Sequence, residues 1–99
     1  MAEVIWAEPA LTDLEDIAQY IDVSNPAAAQ QLVAKIFAAV QRLDHSPESG
    51  KDVAELQGLG YREVLVNPCR VLYKFDGARV VVLHVFRQER DLKRFILTQ

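Results

Sequence analysis

The 99-residue chain is long enough for one domain, and its hydrophobic share of 51% is sufficient for one core without indicating disorder. We therefore expect a single domain over residues 1–99. No apolar run approaches the length of a membrane span and the N-terminus has no signal pattern, which predicts a cytoplasmic protein. The one cysteine, Cys69, cannot form an internal disulfide, and with only two histidines beside it the sequence argues against a structural zinc site.

The formal charge of −3 hides an asymmetry along the chain. Residues 1–50 hold eight acids and two bases, whereas residues 51–99 hold six acids and nine bases. A protein that binds nucleic acid directly usually carries a strong positive excess, because neutralising phosphates dominates its affinity. The overall balance argues against that class. The asymmetry itself leaves two interpretations, ordinary solvated faces or a basic patch that meets an acidic partner.

The first half of the chain predicts a strand followed by two helices. The apolar residues 4–6, just before Glu8 and Pro9, are typical of a short strand that ends at the proline. Apolar residues at helical spacing predict a first helix over residues 9–22. Asn25 and Pro26 then supply an N-cap and a proline at the first helical position, and a second helix continues for four turns before Ser46. So short a link predicts an antiparallel helical hairpin.

The second half predicts a loop followed by three strands. Pro47 and three glycines interrupt the periodicity between residues 45 and 60, with a short turn expected at residues 53–56. Residues 61–66, 70–75 and 79–87 then show a period of two and are rich in Val, Tyr and Phe. The expected fold is therefore α+β: an opening strand, an antiparallel helical hairpin packed on a three-stranded antiparallel sheet, and a short C-terminal segment.

Asp76 and Gly77 predict a hairpin between the last two strands, since a type I′ turn needs positive φ at both positions. A two-residue loop pairs Tyr73 with Val80 and Cys69 with His84. A four-residue loop over residues 76–79 leaves the face sets unchanged, because it preserves the parity of the pairing. One face, the expected seat of the helices, then holds Cys69, Val71, Tyr73, Phe75, Val80, Val82, His84 and Phe86. The other face holds Arg70, Leu72, Lys74, Arg79, Val81, Leu83, Val85 and Arg87.

This other face is an apolar strip bordered by three arginines and a lysine, and it needs a cover. A contiguous exposed apolar strip with a charged rim usually marks an interaction site, which favours a partner protein. The alternative cover is the C-terminal segment, residues 91–97, in which Leu92, Phe95 and Ile96 have helical spacing.

Short signatures spread along nearly the whole chain carry a family resemblance. They are Trp6, Ala10, Asp13, Leu14, Ile17, Tyr20, Ile21, Asn25, Pro26, Ala27, Ala28, Ala29, Leu43, Ser46, Pro47, Gly50, Gly60, Tyr61, Arg62, Glu63, Arg70, Val71, Leu72, Tyr73, His84, Val85, Phe86, Arg87 and Arg90. In this order and spacing they resemble the ParE/RelE toxins of type II toxin–antitoxin systems, which also show the predicted order of strand, helical hairpin and antiparallel sheet. The resemblance implies a toxin held inactive by an antitoxin, of the kind linked to plasmid stabilization.

The resembled superfamily divides in function. RelE-like members are ribosome-dependent mRNA endonucleases, and ParE-like members inhibit DNA gyrase without nuclease activity. RNA cleavage by 2′-OH attack needs an acid or base of tuned pKa and cations on the scissile phosphate. Arg70 and Arg87 match the sheet arginines of the family, and the predicted faces place both on one surface. That arrangement would suit a phosphate clamp.

The rest of a nuclease site is poorly represented in the sequence. RelE-like enzymes resemble one another in having lysines before the sheet and a tyrosine or histidine near the C-terminus. Here the loop before the sheet offers only Lys51, and no tyrosine follows Tyr73. His84 is the only imidazole in the sheet, and parity points it into the packed face beside Cys69, which favours a core histidine. A net acidic chain also fits poorly to the ribosomal A site, which is walled by phosphate. These features favour the ParE branch.

The resemblance thus implies a gyrase-inhibiting toxin neutralised by a ParD-like antitoxin, whose C-terminal part is expected to lay an amphipathic helix and an extended stretch over the toxin. By the resemblance we expect no metal and no organic cofactor, no catalytic residues, and contact with operator DNA only through the antitoxin complex. The expected partner-binding residues are Arg70, Leu72, Val81, Leu83, Val85, Arg87 and Arg90.

Two alternatives and one position stay open at this point. The first alternative is an mRNA endonuclease with Arg70 and Arg87 as phosphate ligands and His84 as a weak acid or base. The second is a degenerate toxin that only binds antitoxin or represses its own operon in the complex. Arg62 receives no role, because a two-residue and a three-residue loop around Pro68 put it on opposite faces of the sheet.

Overall fold

The computed structural model of the chain describes residues 1–88. The predicted helices and the three predicted strands are all present, with ends within about four residues of those expected. The largest difference is at the end of the second helix, where residues 42–44 form a 3₁₀ turn instead of a last α-helical turn. The elements in chain order are β1 (Glu3–Trp6), α1 (Glu8–Asp22), α2 (Pro26–Gln41), a 3₁₀ turn (Arg42–Asp44), β2 (Lys51–Asp52), a second 3₁₀ turn (Ala54–Leu56), β3 (Arg62–Val66), β4 (Cys69–Phe75) and β5 (Arg79–Arg87).

The sheet is mixed and has five strands in the order β1-β5-β4-β3-β2, rather than three antiparallel strands with a separate opening strand. β1 pairs in parallel with β5, from Glu3 opposite Arg79 to Trp6 opposite Val82. β2 adds two residues at the far edge. Sequence patterns missed both additions, because β1 pairs with the strand farthest from it along the chain and a two-residue strand has no measurable period.

The helical hairpin forms as predicted and covers one face of the sheet. Asn25 caps α2, since its side chain accepts a hydrogen bond from the Ala28 N–H at 3.1 Å. Pro26 follows at the first helical position. The apolar stripes of both helices meet the sheet in one cluster of buried side chains. Its members are Ala10, Leu14, Leu32, Ile36, Val40, Leu43, Cys69, Val71, Tyr73, Val80, Val82 and Val85.

The turn between β4 and β5 takes the four-residue form. Phe75 lies opposite Val80, and the Asp76 N–H donates to the Arg79 carbonyl at 3.1 Å. The type I′ prediction is wrong, because among the described residues only glycines have positive φ, and here that is Gly77 at 96°. Asp76 contributes through its side chain instead, which accepts from the N–H groups of Ala78 and Arg79 at 2.9 and 2.7 Å.

A β-bulge at Leu83 reverses the faces of β5 beyond it. Tyr73 lies opposite Val82, but Leu72 lies opposite His84, so β5 has one residue more than β4 at this point. The predicted pairing of Cys69 with His84 is therefore wrong. Cys69 lies opposite Arg87. The predicted faces of the last four residues of β5 are likewise inverted, for His84, Val85, Phe86 and Arg87.

The face away from the helices is covered in part by the chain itself, through a segment that we call the strap, residues 53–56. Val53 and Leu56 of the strap form a second buried cluster with Leu72 and Phe86. Leu72 is only 1% exposed beneath it. The strap is a cover that periodicity did not suggest, since one 3₁₀ turn is too short to show a pattern. The alternative C-terminal cover, residues 91–97, lies outside the described part of the chain.

Candidate functional site

Arg70 lies at the centre of a network of carboxylates on the strap side of the sheet. Its two terminal nitrogens donate to the carboxylate of Glu55 on the strap, at 2.8 and 2.9 Å. Its Nε donates to Glu63 of β3 at 3.1 Å, and one terminal nitrogen donates to the same oxygen. Lys51 approaches the other oxygen of Glu63 at 3.8 Å. The fork of a guanidinium fits this double pairing as a lysine would not.

The network stabilises the charged forms of Glu55 and Arg70. Hydrogen bonding from Arg70 lowers the pKa of Glu55 to about 2, against the opposing effect of burial. The bonds to Glu55, and then those to Glu63, raise the pKa of Arg70 above its usual range. Arg70 is 9% exposed and Glu63 4% exposed, so the pair is a buried one. The strap is thereby held onto β4 by two charge-assisted bonds as well as by its apolar side chains.

Arg87 lies on the opposite face from Arg70, contrary to the prediction. Arg70 is opposite Phe86 and shares its face, whereas Arg87 is opposite Cys69 on the helix side. The Arg87 guanidinium lies 5.6 Å from the centre of the Tyr20 ring of α1. It borders an apolar groove of about 420 Å³ between α1 and the start of β4, lined by Asp16, Ile17, Tyr20, Ile21, Pro68 and Cys69. The two arginines therefore do not form a single phosphate clamp.

His84 is held by an aspartate of α1. β1 ends opposite Val82, and α1 contacts β5. Asp13 Oδ2 accepts from the Val85 N–H at 3.1 Å and lies 2.9 Å from His84 Nδ1, which donates to it when protonated. The imidazole stacks on Phe86, with ring centres 5.8 Å apart. His84 is thus a partly buried, oriented histidine, on the strap side of the sheet rather than beside Cys69.

The predicted partner-binding strip is smaller than expected. The strap buries Leu72, and the bulge places Val85 in the core on the helix side. Both residues were predicted on the exposed strip, because the alternation of side chains along a strand shows neither a covering loop nor a bulge. Val81 and Leu83 remain half-buried on the strap side. Lys74 borders them and lies 4.3 Å from the centre of the Tyr61 ring. Arg90 lies outside the described residues.

The position of Arg62 follows from the hairpin between β3 and β4. A two-residue loop, Asn67 and Pro68, places Arg62 opposite Tyr73 on the helix side. There Arg62 Nη1 donates to the carbonyls of Glu48 and Gly50 at 3.0 and 2.9 Å. Arg62 therefore ties down the loop before β2, and its described contacts are within the chain.

Three side chains that hold the candidate site together escaped the sequence prediction, namely Asp13, Glu55 and Glu63. Asp13 lies on the inward flank of an amphipathic helix, next to Leu14, which is a weak signal for a buried polar contact. Glu63 stands in a strand opposite an arginine-bearing one, and Glu55 lies in a loop. The sequence does not indicate that either glutamate pairs with Arg70. The pairs are 7 and 15 residues apart and join different elements, so no periodic pattern predicts them.

The described residues show neither a metal site nor a membrane span. Within residues 1–88 no three His, Cys, Asp or Glu side chains converge as metal ligands would. No helix in the same range is long and apolar enough to cross a bilayer.

Comparisons with known proteins place this arrangement in a family. Residues 4–92 match the model of the ParE toxin of the type II toxin–antitoxin system parDE. The chain is 35% identical over 89 residues to toxin RelE2 of Caulobacter vibrioides, covering 88% of this chain and 92% of the relative. It is 29% identical over 93 residues to toxin ParE3 of the same organism, covering 93% and 92%.

Solved structures show the same fold at lower identity. A chain of the chromosomal ParDE toxin–antitoxin system from P. aeruginosa superposes with a TM-score of 0.77 and 22% identity, covering 90% of this chain and 98% of that one. A chain of the RelBE2 toxin–antitoxin complex from Mycobacterium tuberculosis gives a TM-score of 0.58 and 23% identity, covering 88% and 98%. The α+β fold is thus shared with a chain of a ParDE system and with a chain of a RelBE complex. This chain belongs to the ParE toxin family of type II toxin–antitoxin systems, within the ParE/RelE superfamily.

Proposed function

We propose that this toxin inhibits DNA gyrase and is neutralised by a ParD-like antitoxin. The observation that carries the proposal is that the two sheet arginines, Arg70 and Arg87, do not lie together on one surface. Arg70 is paired with Glu55 and Glu63, and the bulge directs Arg87 to the other face of the sheet. A phosphate in the position of an RNA substrate would meet two carboxylates at Arg70, which disfavours phosphoryl-transfer chemistry there.

The antitoxin partnership is supported by the neighbouring solved structures, since both come from toxin–antitoxin systems. On this chain the accessible part of the strap side, Val81 and Leu83 with Lys74 at the rim, fits an apolar contact with an acidic border. The relatives carry names from both branches, RelE2 and ParE3. The choice of gyrase as target therefore rests on the chemistry of the arginines.

One observation favours the second candidate function, mRNA cleavage. His84 is oriented by Asp13 through a 2.9 Å contact, which resembles the way a carboxylate orients a histidine that transfers protons. A packing role explains the same contact, because Asp13 also accepts the Val85 N–H beyond the point where the pairing of β1 with β5 ends. The two roles differ in what removal of the imidazole would do.

The free toxin should be added in parallel to a gyrase supercoiling reaction and to translating ribosomes. We expect inhibition of supercoiling and no mRNA cuts. His84→Gln should retain the full inhibition per folded molecule, because His84 contributes to packing only. His45→Gln is the matched control, since His45 lies in an exposed turn with its side chain 69% exposed.

The same experiment would also reveal an mRNA endonuclease. Acid–base groups typically supply about 10²–10⁴-fold in rate, so loss of a catalytic imidazole would abolish cleavage without unfolding the protein. Codon-specific mRNA cuts by the parent protein that disappear in His84→Gln, with an unchanged circular dichroism melt, would establish the nuclease. Cuts in neither protein and inhibited gyrase in both would support the proposal.

The antitoxin contact is tested by Leu83→Glu. A carboxylate buried at that interface without a partner should weaken antitoxin binding on the order of a hundredfold. Leu11→Glu is the control, because Leu11 is a 44% exposed leucine of α1, which packs on the other face of the sheet. Equal affinities of the two folded variants, measured by titration calorimetry, would remove the strap side from the antitoxin interface.

A further inference from the structure

The two helices leave a groove open along the outer side of the hairpin. The groove has a volume of about 400 Å³ and lies between the second half of α1 and the first half of α2. Most of its lining is small and apolar, and the full set is Ala18, Gln19, Asp22, Ala29, Gln30, Val33 and Ala34. The hairpin packs on the sheet through its other side. A concave apolar surface with few polar groups is typical of a binding site.

Large apolar side chains continue this surface toward the other end of the hairpin. Leu11 precedes Ala18 by seven residues and therefore lies on the same side of α1. Phe37 follows Val33 by one turn on α2. Because the helices are antiparallel, Leu11 and Phe37 lie at the same end of the groove, where they are 44% and 43% exposed. The Phe37 ring contacts Trp6, with ring centres 4.8 Å apart. Exposed aromatic side chains of this kind often dominate the energy of an interface.

The border of this surface is acidic. Glu15 and Asp22 are exposed on the same side of α1 as the groove, and within residues 1–88 neither forms an ion pair. The two bases of residues 1–50 are Lys35 and Arg42. Both share the spacing of Ala39, on the side of α2 that borders β3. An apolar surface with a negative border selects a partner whose apolar surface has a positive border.

The proposed target has the chemistry that this surface requires. An enzyme that binds DNA must neutralise phosphates with lysine and arginine, so its DNA-binding surfaces are strongly positive. We infer that the outer groove of the hairpin binds gyrase at such a surface, with Glu15 and Asp22 facing its cations. The groove and the row from Leu11 to Phe37 would supply the apolar contact. This inference rests on the proposed function, and it assigns gyrase a different surface from the strap side that contacts the antitoxin.

Two neighbouring glutamines of α2 test the groove. Gln30→Arg places a long cationic side chain in the lining, whereas Gln31→Arg makes the same change about 100° around the helix, outside the lining. Both glutamines are exposed, so both variants should keep the melting temperature of the parent. In supercoiling reactions, Gln30→Arg should raise the toxin concentration for half inhibition about tenfold, and Gln31→Arg should change it less than about twofold.

Two neighbouring acids of α1 test the border. Glu15→Lys reverses the charge beside the groove, and Asp16→Lys makes the same change on the other side of α1, near Arg87. Both residues are exposed, and the two variants have the same net charge. A general effect of charge on the approach to gyrase is therefore equal in both. Glu15→Lys should inhibit supercoiling about tenfold less well than Asp16→Lys.

The outcomes separate this inference from the proposed function. A parent toxin that inhibits supercoiling, with Gln30→Arg and Glu15→Lys as potent as their controls, would overturn the hairpin surface alone. A parent that leaves supercoiling unchanged would overturn the function as well. Antitoxin binding, measured by calorimetry, should be the same for the parent and Gln30→Arg, and its loss would assign the groove to the antitoxin instead. A parent that sediments as a dimer, with Gln30→Arg as a monomer, would assign the groove to a second copy and would likewise overturn the inference.

Discussion

The two faces of the sheet are held together by different physics. On the helix side, two amphipathic helices bury one continuous apolar cluster that reaches from Ala10 to Val85. On the strap side, a 3₁₀ turn covers Leu72 and Phe86 with two apolar side chains, and Arg70 bonds the turn to the sheet through Glu55. A helix can bury a long stripe, whereas a four-residue strap cannot, so directional bonds fix its position.

The difference explains why Arg70 and Arg87 do not form the predicted phosphate clamp. Hydrophobic contact is non-directional and tolerates small shifts, but a guanidinium fork bound to two carboxylates has one geometry. Once Arg70 holds the strap in this way, its donors are used within the chain. The bulge at Leu83 completes the separation by sending Arg87 to the helix side. Truncating an apolar side chain should therefore lower the free energy of unfolding less on the strap side than on the helix side. Removing a charged group should matter more on the strap side.

The largest effect should come from the helix-side core. Ile36 is fully buried, and Ile36→Ala should lower the free energy of unfolding by about 4 kcal/mol through lost transfer energy and a cavity. Leu56→Ala in the strap should lower it by about 2 kcal/mol, because a short surface turn can collapse onto the space. Urea denaturation of both variants measures the comparison. A loss for Leu56→Ala equal to that for Ile36→Ala would mean that the two faces are equally well packed.

A somewhat smaller effect should follow loss of the buried cation. Arg70→Met leaves Glu63 buried without its main partner and should lower the free energy of unfolding by about 3 kcal/mol. The double variant Arg70→Met with Glu63→Met removes the stranded charge and should recover most of that loss. The measurement is the same urea titration on the single and double variants. A double variant less stable than the single one would show that the network stabilises the fold by more than its desolvation opposes it.

The smallest effect concerns the outer carboxylate of the strap and depends on pH. Because the pKa of Glu55 in the folded chain is about 2, below the usual 4.5, its contribution is fully present above about pH 4.5 and is lost as pH falls toward 2. Glu55→Gln should thus lower the free energy of unfolding by about 1 kcal/mol at neutral pH, a modest value since 35% of the Glu55 side chain is exposed.

The difference between parent and Glu55→Gln should shrink steadily from about pH 5 to about pH 3 in denaturation curves. Glu48→Gln is the matched control, because its side chain is 70% exposed and lies 3.8 Å from Arg62. A parent–variant difference that stays constant over this range would mean that the Arg70–Glu55 bonds do not hold the strap.

Local patterns were enough to predict the helices, the three long strands and the family. Apolar spacing identified α1 and α2, and Asn25 with Pro26 marked the start of the second helix. The signatures from Trp6 to Arg90 indicated the family resemblance that the comparisons confirm. These features depend on neighbours within about one helical turn or one strand, which is the range over which a sequence has a period.

Only the tertiary structure decided which side chains meet. One extra residue at Leu83 inverted the faces of the last four residues of β5, and parity cannot reveal a bulge that preserves the strand pattern. The strap, the Arg70 network and the Asp13–His84 contact join segments 7 to 71 residues apart, so no local pattern marks them. The sequence determined the elements through short-range backbone and burial preferences. Long-range packing decided which groups each arginine contacts. A charge near the core is costly unless it is paired, and only the tertiary structure determines which groups lie within reach.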